Sequence, residues 1–308
     1  MKLKCVLSTE QFTSRQMVNE LLDLAGEMEK GLQRGSLPQS LSGKIVACMF
    51  FEPSTRTRLS FETAALRLGG QVIGTENAQI SSSTVKGEIL EDTIRIVSGY
   101  ADCIVMRHPQ DGAAEVAAKV SPVPLINAGD GGNQHPSQAL LDLYTIKKEK
   151  GRLEDLDIAM VGDLLYGRTI HSTLTLLSLY PNNRFHFIAP QRLALPQKYK
   201  DLLKERNVFF DESEDMRAVL PKADVLYMTR VQKERFESKE EYEKLKDAYI
   251  LDTAALGEAK EDAVIMHALP RINEIALAVD KDPRAAYFRQ ARNGLYMRMA
   301  LLHYLLGG

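Results

Sequence analysis

Short runs of apolar residues alternate along this chain with amphipathic stretches of helical period. Ile45–Phe51, Asp102–Met106 and Val123–Ile126 form one set of runs. Ile158–Val161, Arg184–Ile188, Val208–Phe210, Val225–Met228, Tyr249–Leu251 and Val264–Met266 form a second. A strand covered on both faces reads as a continuous apolar run, and the cover comes from helices placed between successive strands. The pattern therefore predicts an α/β fold: two doubly wound parallel-sheet domains facing a cleft, linked by helices. In such sheets ligands sit beyond the carboxyl ends of the strands.

Helix signals fix the boundaries. Met17, Leu21, Leu24, Met28 and Leu32 recur at helical spacing, Ser14 is placed to cap them, and Gly35 follows the end. A helix over Pro136–Lys150 marks the seam. A last helix is expected to open with Asp282 as cap and Pro283 in its first position. Its stripe of Phe288, Ala291, Leu295, Leu302 and Leu306 is suited to packing back on the rest of the chain. The expected division is residues 1–135, a linking helix 136–150, and residues 151–282, with 283–306 returning to the first domain.

Composition removes several function classes. The 308 residues carry a net charge of -2, so no general basic field exists to hold a polyanion, and no nucleic-acid module is present. Cys5, Cys48 and Cys103 form no CxxC pair, which argues against a disulfide framework and a cysteine metal site. The longest apolar run, IVACMFF, is the size of a strand. MKLKCVLSTEQF lacks a signal-peptide core. A cytoplasmic protein with no membrane or nucleic-acid partner is expected.

The residues that carry chemistry follow the strands. After Ile45–Phe51 comes Glu52-Pro53-Ser54-Thr55-Arg56-Thr57-Arg58, then a helical run through Phe61, Ala64, Ala65 and Leu68. Hydroxyls and amides at the start of a helix, with an arginine fork among them, form an anion site. GxxxxGK[ST] and GxGxxG are both absent, which disfavours a nucleoside triphosphate and a dinucleotide; no cofactor is expected. Arg107 follows the run ending at Met106. Asn127–Pro136 is a glycine-rich loop before a helix. Arg168 and Arg230 stand beyond two runs of the second set. A dicarboxylate needs two separate cationic forks, because one guanidinium pairs bidentately with only one carboxylate.

FEPSTRTRLSFETAALRLGG, HPSQ followed by ALLDLYTI, YGRTIHS, TRVQKER and HALPR stand in this order. Together they resemble the motifs of the aspartate/ornithine transcarbamoylase family, and SFETA and YGRTIHS are more similar to its aspartate members. The resemblance runs from about Leu41 to the C-terminus. It implies transfer of the carbamoyl group from carbamoyl phosphate to L-aspartate, giving N-carbamoyl-L-aspartate and phosphate in de novo pyrimidine biosynthesis. An enzyme acting on ornithine or a related amine is the alternative.

On this resemblance residues 1–135 bind carbamoyl phosphate and 151–282 bind aspartate. Ser54, Thr55, Arg56, Thr57 and Arg107 hold the phosphorylated substrate. His135 donates to the carbamoyl oxygen, and Gln138 accepts from the carbamoyl NH2. Arg56, Thr57, Arg107 and His135 are the catalytic set, stabilising the tetrahedral intermediate as an oxyanion hole does. Arg168 and Thr169 take the α-carboxylate, and Arg230 and Gln232 the β-carboxylate. The main-chain carbonyls of Ala268 and Leu269 orient the reacting nitrogens. Ser82 and Lys86 reach a neighbouring subunit's site, implying a homotrimer with shared active sites, to which regulatory subunits can add. Glu52 bridges to Arg168 and Arg235 on domain closure. Val85 and Leu165 stand where some relatives carry lysine, and Ala268 where many carry proline.

Overall fold

The computed structural model describes residues 3–76, 87–232, 236 and 238–307. The chain divides into two units, Met1–Leu141 with Arg292–Gly308, and Asp142–Ala291. Both are α/β, as the alternation of apolar runs predicts.

In the first unit the described strands are β1 (Ile45–Phe50), β2 (Gln71–Glu76), β3 (Cys103–His108) and β4 (Leu125–Asp130). They form a parallel sheet in the order β2-β1-β3-β4. Helices α1 (Arg15–Arg34), α2 (Thr55–Arg67), α3 (Leu90–Ser98) and α4 (Ala113–Val120) belong to the same unit. Ser14 caps α1 through the Met17 amide at 3.4 Å, and Gly35 closes it at φ +67. One core layer joins Ala47, Met49, Ile104 and Met106 to Ala113, Ala114 and Ala117. Burying each larger apolar side chain here contributes about 1.5–3 kcal/mol.

The second unit holds β5 (Asp157–Val161), β6 (Arg184–Ile188), β7 (Phe209–Ser213), β8 (Val225–Met228) and β9 (Val264–His267), all parallel, in the order β7-β6-β5-β8-β9. Two helices pass from one unit into the other along the chain. These are α5 (Pro136–Lys150), which begins and ends where the sequence predicts, and α10 (Tyr287–Leu306). Between them lie α6 (Arg168–Leu177), α7 (Gln197–Glu205), α8 (Lys239–Leu245) and α9 (Thr253–Leu256).

Four expectations need correction. Tyr249–Leu251 is not a strand; Leu251 alone makes an isolated bridge, to Ile275. β2 is not among the predicted strands, because QVIGTE is an exposed edge strand with two large apolar residues. β4 continues through Asn127–Asp130, which the sequence assigns to a loop. The last helix starts at Tyr287, not at Pro283. Arg284 and Ala286 are held to Ile265 by main-chain hydrogen bonds of 2.9 Å each, so this segment borders the sheet end and cannot be helical. Asp282 instead accepts from the Arg284 amide at 2.9 Å. The predicted stripe also shifts: Phe288 is 55% exposed, whereas Gln290, Asn293, Met297 and Leu301 are buried.

Candidate active site

In each sheet the order of strands reverses direction at one place, between β1 and β3 in the first and between β5 and β8 in the second. Loops leaving two such neighbours diverge to opposite faces and open a crevice between them. Arg56 follows β1, whereas Arg107, expected just beyond its strand, is the next-to-last residue of β3, at its carboxyl end. Arg168 and Arg230 follow β5 and β8. The four arginines singled out in the sequence thus fall, two and two, at the switch points.

At the first switch point Thr55 opens α2, and Ser54 precedes it at φ -160 without a side-chain cap. The first-turn amides are thereby left for another acceptor. Thr57 is buried and Arg56 is on the exposed side. Partial desolvation lowers the Arg56 pKa from its ordinary value, yet a guanidinium remains cationic. Arg58 serves the scaffold instead. Its Nε and Nη1 donate to Glu62 (2.7 Å) and Glu76 (2.6 Å), fastening α2 to β2. Arg107 donates to Glu52 Oε1 at 2.6 Å and to the Ala128 carbonyl at 3.3 Å.

The 131–135 turn is organised by Asp130, which is buried and accepts from Asn127 (2.8 Å), Gln134 N (3.1 Å), Gly112 N (2.8 Å) and Asn133 (3.1 Å). Gly131 sits at φ +48, and a Cβ there would lie 1.8 Å from Asp111 Oδ1. Only glycine fits. The turn delivers His135 and Gln138, both buried, at the start of α5. His135 Nδ1 lies 3.5 Å from Ser137 Oγ.

At the second switch point Gly162 has φ +117, and a Cβ would approach the Thr229 carbonyl to 2.3 Å. This close approach lets Thr229 stitch the two loops together. Its amide donates to Val161 O (2.8 Å), and its Oγ1 accepts from Asp163 N (2.8 Å). Arg168 opens α6, with its amide on Tyr166 O at 2.9 Å. Thr169 bonds to the Tyr227 hydroxyl. Ala268 and Leu269 follow β9, with Leu269 at φ +58 and a cis Leu269–Pro270 bond. Ser82, Lys86 and Arg235 lie outside the described residues. His171 of the YGRTIHS motif is structural: it stacks on Tyr199 at 4.2 Å, and Nε2 bonds Leu164 O at 2.8 Å. Burial lowers its pKa to about 4 and keeps the imidazole neutral.

Asp163 is the residue that sequence reasoning passes over. It is fully buried and accepts from Tyr166 N (2.9 Å) and Gln232 N (3.3 Å), so it fixes both loops at the switch point. Burial raises its pKa to about 6, against the opposing pull of these amides and the Arg230 charge. An acid directly beyond a predicted strand, beside Gly162, was the available signal. The folded protein holds this proton more tightly than the unfolded chain. Stability from this group is therefore greatest at low pH, falls through the interval between the ordinary aspartate value and about pH 6, and then levels off, a difference of about 3 kcal/mol. In Asp163→Asn that decline disappears from urea unfolding measured across the same interval. An identical decline in both proteins would remove Asp163 as its source.

Two parallel α/β units, each with a pair of arginines at its switch point, define a class of protein that handles anionic small molecules. Residues 4–148 match the family model described as aspartate/ornithine carbamoyltransferase, carbamoyl-P binding domain. Residues 154–305 match the corresponding Asp/Orn binding domain. The chain is 57% identical over 265 residues to an aspartate carbamoyltransferase catalytic subunit of Clostridium novyi, covering 86% of each. It is 50% identical over 308 residues to a chloroplastic aspartate carbamoyltransferase of Arabidopsis thaliana, covering 100% of this chain and 79% of the relative. A solved Trypanosoma cruzi aspartate transcarbamoylase in complex with carbamoyl phosphate and aspartate superposes with a TM-score of 0.94 at 41% identity, covering 100% and 98% of the two chains. The chain belongs to the aspartate/ornithine carbamoyltransferase family.

Proposed function

We propose that this protein transfers the carbamoyl group of carbamoyl phosphate to the amine of L-aspartate, releasing N-carbamoyl-L-aspartate and phosphate for pyrimidine biosynthesis. The observation that carries this reading is the placement of Arg56 with Arg107 and of Arg168 with Arg230 at the two switch points. One reactant is a phosphorylated species and the other a dicarboxylate, and each receives two guanidinium forks. Relatives named for the aspartate reaction, at up to 57% identity, support aspartate as the acceptor.

On this reading Ser54, Thr55, Arg56, Thr57 and Arg107 bind the phosphate, with Ser82 and Lys86 supplied by a neighbouring subunit. His135 and Gln138 hold the carbamoyl oxygen and nitrogen. Arg168, Thr169, Arg230 and Gln232 orient aspartate, the Ala268 and Leu269 carbonyls align the nitrogens, and Glu52 and Arg235 act in closure. The aspartate nitrogen forms its bond to the carbamoyl carbon, the carbon–oxygen bond to phosphate breaks, and the phosphate takes the amine proton. Arg56, Thr57, Arg107 and His135 stabilise the negative oxygen of the intermediate. Aligning the two reactants can supply about 7–11 kcal/mol of the barrier.

The active form is a homotrimer in a reducing, cytoplasmic setting; three free cysteines support the latter. No helix among the described residues is long and apolar enough to cross a membrane. Purified chain supplied with carbamoyl phosphate forms carbamoyl-aspartate with aspartate and little product with ornithine. Equal or greater turnover with ornithine would overturn the assignment.

A further inference from the structure

A chain of buried polar groups runs through the second unit from Asp142 to the loop after β9. Asp142 is fully buried and accepts from Thr173 Oγ1 (2.8 Å), Tyr227 Oη (2.8 Å) and Gln290 Nε2 (2.7 Å). An ionised carboxylate only accepts, so the Gln290 amide nitrogen must face it and the amide oxygen must face away. That oxygen accepts the His267 main-chain N–H at 2.9 Å.

At the other end the imidazole of His267 is fixed in the same manner. The Leu269 amide donates to His267 Nδ1 at 2.8 Å, so Nδ1 carries a lone pair. The ring proton is then on Nε2, which donates to Glu274 Oε1 at 2.7 Å. Glu274 Oε2 accepts from the Ile272 and Asn273 amides at 3.0 and 3.1 Å. His267, Glu274 and Gln290 are all nearly inaccessible. Two acceptor-only carboxylates thus set the direction of the bonds between them, including the tautomer of His267.

The residue at the end of this chain is unusual. Leu269 has φ +58, a left-handed conformation that a branched apolar residue adopts only when its surroundings impose it. The bond from its amide to His267 Nδ1 closes a two-residue turn and commits the amide inward. The neighbouring carbonyls of Ala268 and Leu269 are the groups that align the reacting nitrogens in the proposed function.

We propose that His267 is a positioning residue for carbamoyl transfer: its Nδ1, held as an acceptor by Glu274, pins the Leu269 amide and so aims the Ala268 and Leu269 carbonyls. This inference rests on the function proposed above and adds a residue to it. Two substitutions separate the two bonds of the ring. In His267→Asn the side-chain oxygen can accept the amide two residues on, as in an Asx turn, while the bond to Glu274 is lost. In His267→Gln the longer amide can donate to Glu274 but cannot close the turn.

The proposal expects His267→Asn to keep turnover of the same order as the parent, with faster-exchanging amides confined to Ile272 and Asn273. His267→Gln should lose about 100-fold in kcat, with little change in aspartate KM, as for a misaligned reactant. Hydrogen exchange of a peptide spanning Ala268–Pro270 should rise only in the Gln variant. Equal turnover in the two variants, or the reverse order, overturns the positioning role, because a merely structural histidine favours neither. Should His267→Gln fail to fold, His267→Asn decides alone, and a turnover far below that of the parent overturns the proposal. Arg230→Ala run alongside keeps the two ideas distinct: an unchanged aspartate KM there counts against the proposed function, not against the His267 clamp.

Discussion

Replacing Arg56 by alanine is expected to abolish most turnover while leaving the fold intact. Arg56 lies in the first turn of α2, exposed, with no ion pair among the described residues. Alanine is a strong helix former, and a substitution at such a surface position changes stability by only about 0.5 kcal/mol. The chemical loss is of another order. Removing one donor to a developing oxyanion costs about 2.7–4 kcal/mol, or on the order of 10²–10³ in kcat. In the proposed function Arg56 also faces the leaving phosphate, so its loss is expected at or above the upper end. Steady-state kinetics with unfolding as the control checks this; near-normal kcat would remove Arg56 from the catalytic set. The same variant tests assembly. Mixed with Lys86→Ala chains, it should recover part of the activity, since some hybrid sites then combine an intact Arg56 with an intact Lys86. No recovery would argue for sites complete within one chain.

Arg230→Ala should raise the aspartate requirement sharply and leave that for carbamoyl phosphate nearly unchanged. A bidentate guanidinium–carboxylate contact comprises two hydrogen bonds to a charged group, at about 1.5–3 kcal/mol each. Losing them corresponds to an increase on the order of 10²-fold or more in aspartate KM. There is a second, internal readout. The Arg230 charge is one of the influences holding down the pKa of Asp163. Without it, burial acts less opposed, and Asp163 should titrate above its present value of about 6. An aspartate KM equal to that of the parent would take Arg230 out of the binding site.

Much of this was legible in the sequence because buried parallel strands leave little freedom in composition. Ile158–Val161 and Val225–Met228 are apolar on both faces, Arg184–Ile188 sets Phe185 and Phe187 on one face, and each falls within a strand of the structure. Edge strands escape this logic. Among the described residues β2 has a partner strand on one side only and tolerates polar residues, so QVIGTE gives no signal, whereas Tyr249–Leu251 is apolar for another reason: Leu251 fills the core without pairing along a strand. The last helix misled because its buried face includes Gln290 and Asn293, which a search for apolar periodicity discards. The candidate site residues stood out where a strand ends in a cation. Asp163 and His267 were not recognised as organisers, since the groups they pin, the Tyr166, Gln232 and Leu269 amides, are main-chain donors that no spacing rule reveals.

The seam between the two units lies inside continuous helices, after Leu141 in α5 and before Arg292 in α10. Tyr296, Met297, Leu301 and Leu302, all buried, therefore join the first unit only after the whole of the second has left the ribosome. An emerging N-terminal half cannot complete its hydrophobic interior during synthesis. It must wait, partly open, for seventeen residues encoded beyond its neighbour.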